Sequence, residues 1–559
     1  MFCLCYITTI AQNNKLAIES RMVNEIPNEE ISVVINTNVL LAGETLNYKL
    51  FCLVNKHNAL SSLSKVAYVE LYSSKNNSIF SHKIKLEKGM GSGDFFVSPT
   101  VETGHYKLIT YTQWMKNSDN QFSETDIYII NPFNNSSFIG LNSNKTKLGL
   151  LANSHLNNKK SDVLKLDAQT YATRKKVTLK VTDLIGNFTL SVRKANNISI
   201  EASEVNSKSK RIFANSKGFV LPEIRGEIIS GVVYDNLGNT AANKKIALSI
   251  PGENYIYKNV VTDSLGNFLF NIHENYLNTQ VYFQVIGDSL LNYSFKIHNK
   301  NASKPKDLIF KNLQFNAELK DWIITQSINN QIENAYHISK ADSIKPVVAN
   351  HNFLAEKSVV YKLDDYTRFK TIKETFIEVV EGAALRKKED NYIFKIYHNE
   401  GNNHPFSEYK PLLLLDGVLI QDEKFIVDYD PYKIEEIGLI KGAYFYGPKI
   451  YYGVIDIKTK SGNAFVDGFE IEGLTNYTLK LIQPQKKYFS PNYDENSTEL
   501  KRIPDFRSQL LWCPNVKLNG EEKTITFFTS DVKGVFEVIL SGYNMYGRYI
   551  SEKTYFTVE

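Results

Sequence analysis

The sequence predicts a mainly β protein, made of tandem β-sandwiches and one small α/β domain. Tyr and Phe number 33 and 32 among 559 residues, and aromatic side chains suit pleated, half-buried surfaces. Short alternating apolar stretches also recur between turn signals along most of the chain, which is typical of sandwiches. A chain of this length divides into several domains of ordinary size.

The first residues resemble the end of an export signal. "MFCLCYITTIAQ" is apolar, and small side chains at Thr9 and Ala11 fit the −3 and −1 positions of a signal-peptidase site. We therefore expect 1–11 to be a partial signal peptide and the mature chain to begin at Gln12. A buried first strand is the alternative.

Composition excludes several classes of protein. The net charge is +5, and no dense Lys/Arg stripe interleaves with aromatics, so nucleic acid is not an expected partner. No run of 18 apolar residues occurs, so no membrane-spanning helix is predicted. Cleavage at Gln12 would leave Cys52 and Cys513, which lie 461 positions apart; a disulfide framework is not expected.

Residues 28–132 are predicted to form the first sandwich. The stretches "LLAGETLNYKLF", "AYVELYSSKNNSIF", "GMGSGDFFV" and "ETGHYKLITYT" follow one another as strands separated by turns. In this order they resemble the second macroglobulin-like domain of the α2-macroglobulin family. The resemblance implies a β-sandwich of about 100 residues.

Two more segments are predicted to be β modules of the same kind. Residues 133–165 are rich in Asn, Ser and Lys and are expected to be a linker. Strands resume in 166–225, which we interpret as a second macroglobulin-like unit. Residues 464–559 combine Trp512 and Pro514 with later alternating strands and resemble a macroglobulin-type or Ig-like sandwich.

Residues 226–300 contain two related turns. Asp235-Asn-Leu-Gly238-Asn and Asp263-Ser-Leu-Gly266-Asn each separate two apolar strands, and Gly supplies the positive φ of a tight reversal. With the flanking strands, this pattern resembles the carboxypeptidase regulatory-like domain. The resemblance implies a seven-stranded sandwich.

A helix is predicted after a mixed connecting region, 301–366. Phe369, Ile372, Phe376 and Val379/Val380 recur at steps of three and four, which indicates one buried stripe. Thr371 and Glu374 have capping-box spacing inside this stripe, so the start of the helix is left open.

Residues 367–463 carry the most specific motif. "PLLLLDGVLI" turns back at Asp-Gly, Asp-Pro begins the next element, and "YYGVIDIKTKSG" ends the segment. This order resembles the plug domain of TonB-dependent receptors. Ile434, Ile437 and Ile440 fit either a helix or a strand. The residues that carry the motif are Asp416, Gly417, Asp430, Pro431, Gly442, Gly447 and Gly453.

Only 97 residues follow Gly462, whereas a receptor barrel needs roughly twenty strands of about ten residues. We therefore expect the plug-like segment to act as a docking module. Tyr anchors protein interfaces at low entropic cost, so the aromatics near the end of the plug-like segment are candidate partner contacts. Packing of the last hairpin is the alternative. These aromatics are Tyr444, Phe445, Tyr446, Tyr451 and Tyr452.

No catalytic residue, cofactor or metal site is expected. The thioester motif Cys-Gly-Glu-Gln of α2-macroglobulins is absent. His398, Glu400 and His404 lie in a Gly/Asn/Pro loop, which favours solvated side chains over metal ligands. "GMGSGD" (89–94) lacks the Lys-Ser/Thr of a phosphate loop. Asp416 is expected in a turn and Asp456 on a solvent-facing strand position, so this pair is not expected to act in acid–base catalysis.

The sequence therefore predicts a non-enzymatic, exported protein of a Gram-negative envelope, in the periplasm or at the outer membrane. Its expected role is protein docking through the plug-like and macroglobulin-like domains. An accessory subunit or pore plug of an outer-membrane transport or secretion channel is the alternative, with a β-barrel as partner. A protease-binding inhibitor without a thioester is a third hypothesis.

Overall fold

The structure is a computed structural model that describes most of the chain. The described residues are 21, 25–54, 59–134, 145–150, 161–195, 198–200, 211–214, 218–287, 292–298, 304–315, 319–346, 358–388, 391–397, 406, 408–465, 471, 473–494 and 498–559. The predicted signal, 1–11, lies outside them. The chain divides into two compact units: unit 1 is Met1–Ile224, Asn301–Pro346 and Ile482–Glu559, and unit 2 is Arg225–Lys300 and Val347–Leu481.

Unit 1 begins with a β-sandwich of two sheets. Its strands, numbered in chain order, are β1 (Glu29–Ile35), β2 (Val39–Leu41), β3 (Thr45–Val54), β4 (Val66–Tyr72), β5 (Ser78–Lys85), β6 (Met90–Phe96), β7 (Gly104–Tyr111) and β8 (Ser123–Ile130). One sheet has the order β1-β3-β6 and the other β2-β8-β7-β4-β5. The glycine-rich 89–94 stretch enters β6, where a Cβ on Gly93 would lie 2.4 Å from the Tyr48 hydroxyl. These glycines therefore serve close packing.

The second sandwich of unit 1 combines two distant parts of the chain. Its strands are β10 (Leu164–Leu166), β11 (Thr170–Tyr171), β12 (Lys176–Val181), β13 (Ile185–Lys194), β32 (Gln509–Asn519), β33 (Lys523–Phe528), β34 (Gly534–Asn544) and β35 (Tyr549–Val558). The sheets have the orders β10-β12-β33 and β11-β35-β34-β13-β32. The prediction of two separate modules, 166–225 and 464–559, is therefore wrong. Neither part has enough strands to cover a core, which they complete together.

Smaller elements complete unit 1. They are β9 (Lys145–Leu150), β14 (Ile198–Ile200), β21 (Asn312–Phe315), β22 (Ser343–Ile344), β31 (Lys486–Lys487), the helices Leu319–Ala335 and Thr498–Arg502, and the 3-10 helix Trp114–Asn117. The sheet β14-β9-β21 corrects the prediction that all of 133–165 is a linker, because β9 pairs on both edges. Helix Leu319–Ala335 corresponds to "WIITQSINNQIENA".

Unit 2 contains a further sandwich. Its strands are β15 (Glu227–Asp235), β16 (Lys245–Ile250), β17 (Ile256–Val261), β18 (Asn267–Ile272), β19 (Gln280–Val285), β20 (Tyr293–Ile297) and β30 (Thr475–Thr478). The sheets have the orders β18-β15-β20 and β17-β16-β19-β30. The last strand, β30, comes from the region predicted to begin the C-terminal sandwich, so that boundary is corrected. Asp235 and Asp263 close their turns by accepting backbone hydrogen bonds from Asn239 and Asn267.

The plug-like segment forms the rest of unit 2. Its elements are β23 (Val359–Lys362), β24 (Ala383–Lys388), β25 (Asn391–Ile396), β26 (Leu412–Leu415), β27 (Val418–Leu419), β28 (Ile434–Tyr446), β29 (Lys449–Thr459), the helices Ile372–Glu378 and Lys424–Val427, and the 3-10 helices Leu363–Asp365 and Pro431–Lys433. One sheet has the order β23-β28-β29-β26-β27, and β24 pairs with β25. Because β23 belongs to this sheet, the segment begins before residue 367, inside the predicted connector.

The helix of this segment starts at its capping box. Thr371 is the N-cap, and its side chain accepts a hydrogen bond from the Glu374 N–H while Glu374 bonds back. The helix is Ile372–Glu378, so Phe369 precedes it. Ile372 and Phe376 are buried against the sheet. The mainly β fold class is confirmed.

Candidate functional site: the plug-like segment

The Asp416-Gly417 turn is a buried structural element. Both residues have positive φ, +48° and +84°, as a type I′ turn requires. The Asp416 carboxylate accepts hydrogen bonds from the Thr459 N–H (2.8 Å), the Thr459 hydroxyl (2.6 Å) and the Ala464 N–H (2.8 Å). A Cβ on Gly417 would lie 2.2 Å from the ring of Tyr255. This turn therefore ties the segment to the unit 2 sandwich.

The Asp430-Pro431 pair begins a short helix and not a long one. The Asp430 carboxylate accepts a hydrogen bond from the Tyr432 N–H at 2.9 Å, and the 3-10 helix ends at Lys433. Ile434 then starts β28, so the strand alternative is the correct one for 434–440. Ile434 and Ile437 are fully buried beside β29.

Three of the four motif glycines shape the β28–β29 hairpin. Its register shifts between Ile440 and Ala443, where Gly442 and Gly453 have φ of +93° and +87°. Such a bulge increases local twist and re-aims the strands beyond it. Gly447, with φ of +52°, lies in the tip between the two strands. The glycines thus direct the aromatic tip.

The tip aromatics turn mainly inward. Tyr451 and Tyr452 are 2% and 5% exposed, and the expectation that they face a partner is wrong. The Tyr446 hydroxyl donates a hydrogen bond to the Tyr257 carbonyl at 2.6 Å, and the two rings stack at 5.4 Å. Burial raises the pKa of Tyr444 and of Tyr446. The packing alternative holds for these tyrosines.

These tyrosines are buried because the hairpin tip packs against the sandwich of unit 2. The Asn259 amide of β17 donates a hydrogen bond to the Tyr446 carbonyl at 3.3 Å, and the Tyr257 and Tyr451 hydroxyls are 3.2 Å apart. The two modules share one apolar cluster. Its buried members are Ala247, Tyr255, Tyr257, Ile286, Leu412, Leu414, Leu419, Ile440, Tyr451 and Val454.

Phe445 differs from the other four aromatics. Its side chain is 63% exposed. Its ring contacts Phe406 edge-on at 5.7 Å, and Phe406 contacts Tyr409 at 5.9 Å. Tyr409 is 48% exposed. We call Phe406, Tyr409 and Phe445 the surface aromatic cluster. Phe406 and Tyr409, which follow "NNHP" in the sequence, were not among the predicted contacts.

Asp456 does not face solvent, contrary to the prediction. Its side chain is 5% exposed, and its Oδ2 accepts a hydrogen bond from the Tyr255 hydroxyl at 2.8 Å. Burial raises the pKa of Asp456 to about 6, while Tyr255 and Lys458 oppose this rise. The strand position faces the sandwich, whose presence the local sequence does not reveal.

The remaining sequence candidates are the possible metal ligands and the cysteines. His398, Glu400 and His404 lie outside the described residues, and so do Cys3 and Cys5. Within the described ranges, no group of three or more His, Cys, Asp or Glu side chains is arranged to hold a metal ion. Cys52 and Cys513 are unpaired thiols, and burial raises the pKa of both.

None of the described helices is both long enough and apolar enough to cross a membrane.

Comparisons with known proteins give distant structural likenesses. No protein-family model and no curated protein matches the chain. The structure of Salmonella α2-macroglobulin reacted with methylamine aligns with 95% of this chain and 39% of its own at 9% identity and a TM-score of 0.24. Native Escherichia coli α2-macroglobulin aligns with 96% of this chain and 40% of its own at 10% identity and a TM-score of 0.25.

A Yersinia pseudotuberculosis adhesin, InvE, aligns with 49% of this chain and 62% of its own at 9% identity and a TM-score of 0.13. This chain thus spans about two fifths of the macroglobulins that it matches. TM-scores this low do not bear on function.

Proposed function

We propose that this protein is a non-enzymatic protein-docking module of a Gram-negative cell envelope and that the plug-like segment contacts the partner. The observation that supports this proposal is the surface aromatic cluster. Exposed aromatic rings in mutual contact are typical of interface anchors, because they bury a large area when a partner excludes water.

The cluster rests on a rigid base. Tyr444, Tyr446 and Tyr451 fix the β28–β29 hairpin on the sandwich, and Phe445 extends from the same strand to solvent. A side chain held in place before binding loses less conformational entropy when the complex forms. The hairpin therefore favours Phe445 as the central anchor.

Positive charge lies near the hairpin. Burial lowers the pKa of Lys449, and the nearby charges of Lys245 and Lys410 lower it further. The Lys410 ammonium group lies 3.0 Å from a Glu423 oxygen, which compensates part of this charge. A partner with an apolar centre and acidic groups at the rim would complement this surface. We propose that this partner is a protein, and an outer-membrane β-barrel is one candidate.

The test compares two double variants of the full chain. Phe445→Ser with Tyr409→Ser removes exposed aromatic area at the cluster. The control, Leu237→Ser with Leu265→Ser, removes exposed apolar side chains at the two sandwich turns. Each tagged protein is crosslinked in envelope membranes and purified with its partner.

We expect the cluster variant to lose most of the partner recovered with the unchanged protein, while the control retains it. Unchanged melting of both variants shows that folding is intact. Full recovery with the cluster variant would contradict the proposal. A β-barrel partner would support the channel alternative, and a protease partner would support the inhibitor hypothesis.

A further inference from the structure

Unit 1 contains a groove along the open edge of its second sandwich. The cavity has a volume of about 470 Å³, within the range of ligand-binding pockets. One wall is formed by five successive residues of β32, Leu511–Asn515, with Thr526 and Phe528 of β33. The opposite wall is formed by Lys345 and by residues of the segment 486–492. We call this cavity the edge groove.

The β32 wall presents a strand edge. Among the described strands, β32 is the last of its sheet and pairs only with β13. Pro514, which has no N–H to donate, is tolerated at such an edge. Alternate backbone N–H and C=O groups of an edge strand point away from the sheet and form a template for another strand. The groove therefore offers recognition by main-chain pairing.

The opposite wall carries uncompensated positive charge. Lys345 and Lys487 are exposed, and within the described ranges neither forms an ion pair with a carboxylate. Lys486 differs, because its ammonium group lies 2.8 Å from an Asp94 oxygen. The groove thus keeps two cationic groups available.

The interior of the groove adds polar and aromatic surface. Trp512, Tyr488 and Phe528 line it, and their rings provide area on which side chains of a strand can pack. Asn515 is already engaged, since its Oδ1 accepts a hydrogen bond from Lys49 at 2.6 Å. Burial lowers the pKa of Lys49 to about 8, the charge of Glu87 opposes this fall, and the charge of Lys345 adds to it.

We propose that the edge groove binds an extended acidic peptide segment of a partner protein, which adds to β32 as a further strand. Main-chain hydrogen bonds to β32 would give affinity. Carboxylates of the peptide would pair with Lys345 and Lys487 and select an acidic sequence. No residue of this site belongs to the surface aromatic cluster, so the two proposals are tested separately.

The binding test uses the full chain and a fluorescein-labelled nonapeptide of alternating glutamate and valine. A peptide of alternating lysine and valine is the control for charge. Fluorescence anisotropy measures affinity, and hydrogen exchange with mass spectrometry follows the amides of 509–519. We expect the acidic peptide alone to bind and to slow exchange in that stretch.

Two pairs of variants localise the site. Lys345→Gln with Lys487→Gln should weaken binding roughly three- to tenfold, since exposed ion pairs are individually weak. Lys165→Gln with Lys517→Gln, at exposed positions outside the groove, should not. Thr526→Trp should fill the groove and abolish binding. Thr524→Trp, on the same face of β33 but outside the groove, should leave binding unchanged.

Several results would overturn the proposal. Unchanged affinity in Thr526→Trp would place the peptide elsewhere. Displacement of the peptide by citrate, with no slowing of amide exchange in 509–519, would assign the groove to small anions. Self-association of the unchanged protein that Thr526→Trp abolishes would assign it to a second copy of the chain. If Thr526→Trp does not fold, the lysine variants and the exchange pattern decide.

Discussion

Replacing Asp456 with Asn should stabilise unit 2 at neutral pH. The carboxylate is buried, with one oxygen bonded to Tyr255 and the other, Oδ1, without a hydrogen-bond partner. A buried charge with incomplete hydrogen bonding destabilises the folded state. Asn has nearly the same shape and retains an acceptor for the Tyr255 hydroxyl, so the change removes charge with little repacking.

The magnitude follows from the raised pKa. A change from the ordinary 3.8 to about 6 corresponds to about 3 kcal/mol of preference for the protonated form in the folded state. Because the folded pKa is the higher one, this penalty is absent below pH 4, grows between pH 4 and 6, and is complete above pH 6. The Asn amide leaves an unpaired donor that costs about 1 kcal/mol. We therefore expect a net gain of about 1–2 kcal/mol at pH 7.5.

Urea unfolding at pH 4.5 and 7.5 measures this difference. The three tryptophans, at 114, 322 and 512, all lie in unit 1. Tryptophan fluorescence therefore follows unit 1, while far-UV circular dichroism follows both units. The variant should move the circular dichroism transition at pH 7.5, with a smaller effect at pH 4.5, and leave the fluorescence transition unchanged.

Asp428→Asn, at an exposed position of the same segment, is the matched control and should change neither transition. An Asp456→Asn variant that is no more stable than the unchanged protein at pH 7.5 would refute this prediction. An equal difference in stability at both pH values would also refute it, because the gain would then not come from ionisation.

Three further predictions concern other parts of the chain. Tyr444→Ser with Tyr446→Ser should destabilise the plug-like segment by about 3 kcal/mol or more, because buried aromatic contacts are lost; a variant with unchanged melting would contradict this. Cys52→Ser and Cys513→Ser should each cost about 1–2 kcal/mol in packing, and a large fall in melting temperature with a chelator would instead reveal a metal site. N-terminal sequencing of envelope protein should begin at Gln12, and an intact Met1 on cytoplasmic protein would refute the export signal.

Local sequence signals predicted the structure correctly where a few neighbouring residues fix the backbone. The Asp416-Gly417 turn has the positive φ angles expected of that dipeptide. Thr371 and Glu374 form their capping box and thereby set the start of the helix. Asp430 caps the turn that Pro431 begins. Each feature depends on side chains within four residues of each other, so the sequence displays it directly.

Strand pairing over long separations was not predictable in this way. Leu190 in β13 lies between Cys513 of β32 and Leu540 of β34, more than 300 residues away. Alternation identifies each as a strand residue but contains no information about its partner. The two halves of one sandwich were therefore assigned to two domains, and the edge groove, which depends on their union, could not be anticipated.

The plug-like segment contains a signal that would have predicted its second interface. Leu412–Leu415 is an unbroken apolar strand, and strands without alternation are buried on both faces. Leu413 and Leu415 pack with the helix side of the sheet, whereas Leu412 and Leu414 pack against Tyr255 and Tyr257 of the sandwich. An exposed second face would instead have shown polar residues at alternate positions.

Both faces of the plug-like sheet are covered within unit 2. One face is covered by its own helix, and the other is covered by a sandwich of the same unit. Gly417 permits the closest approach, because any side chain there would overlap the Tyr255 ring. Phe445 is 63% exposed at the hairpin tip, while its neighbours Tyr444 and Tyr446 pack against the sandwich. Under the proposed docking function, adjacent residues of one strand would therefore divide anchoring from recognition.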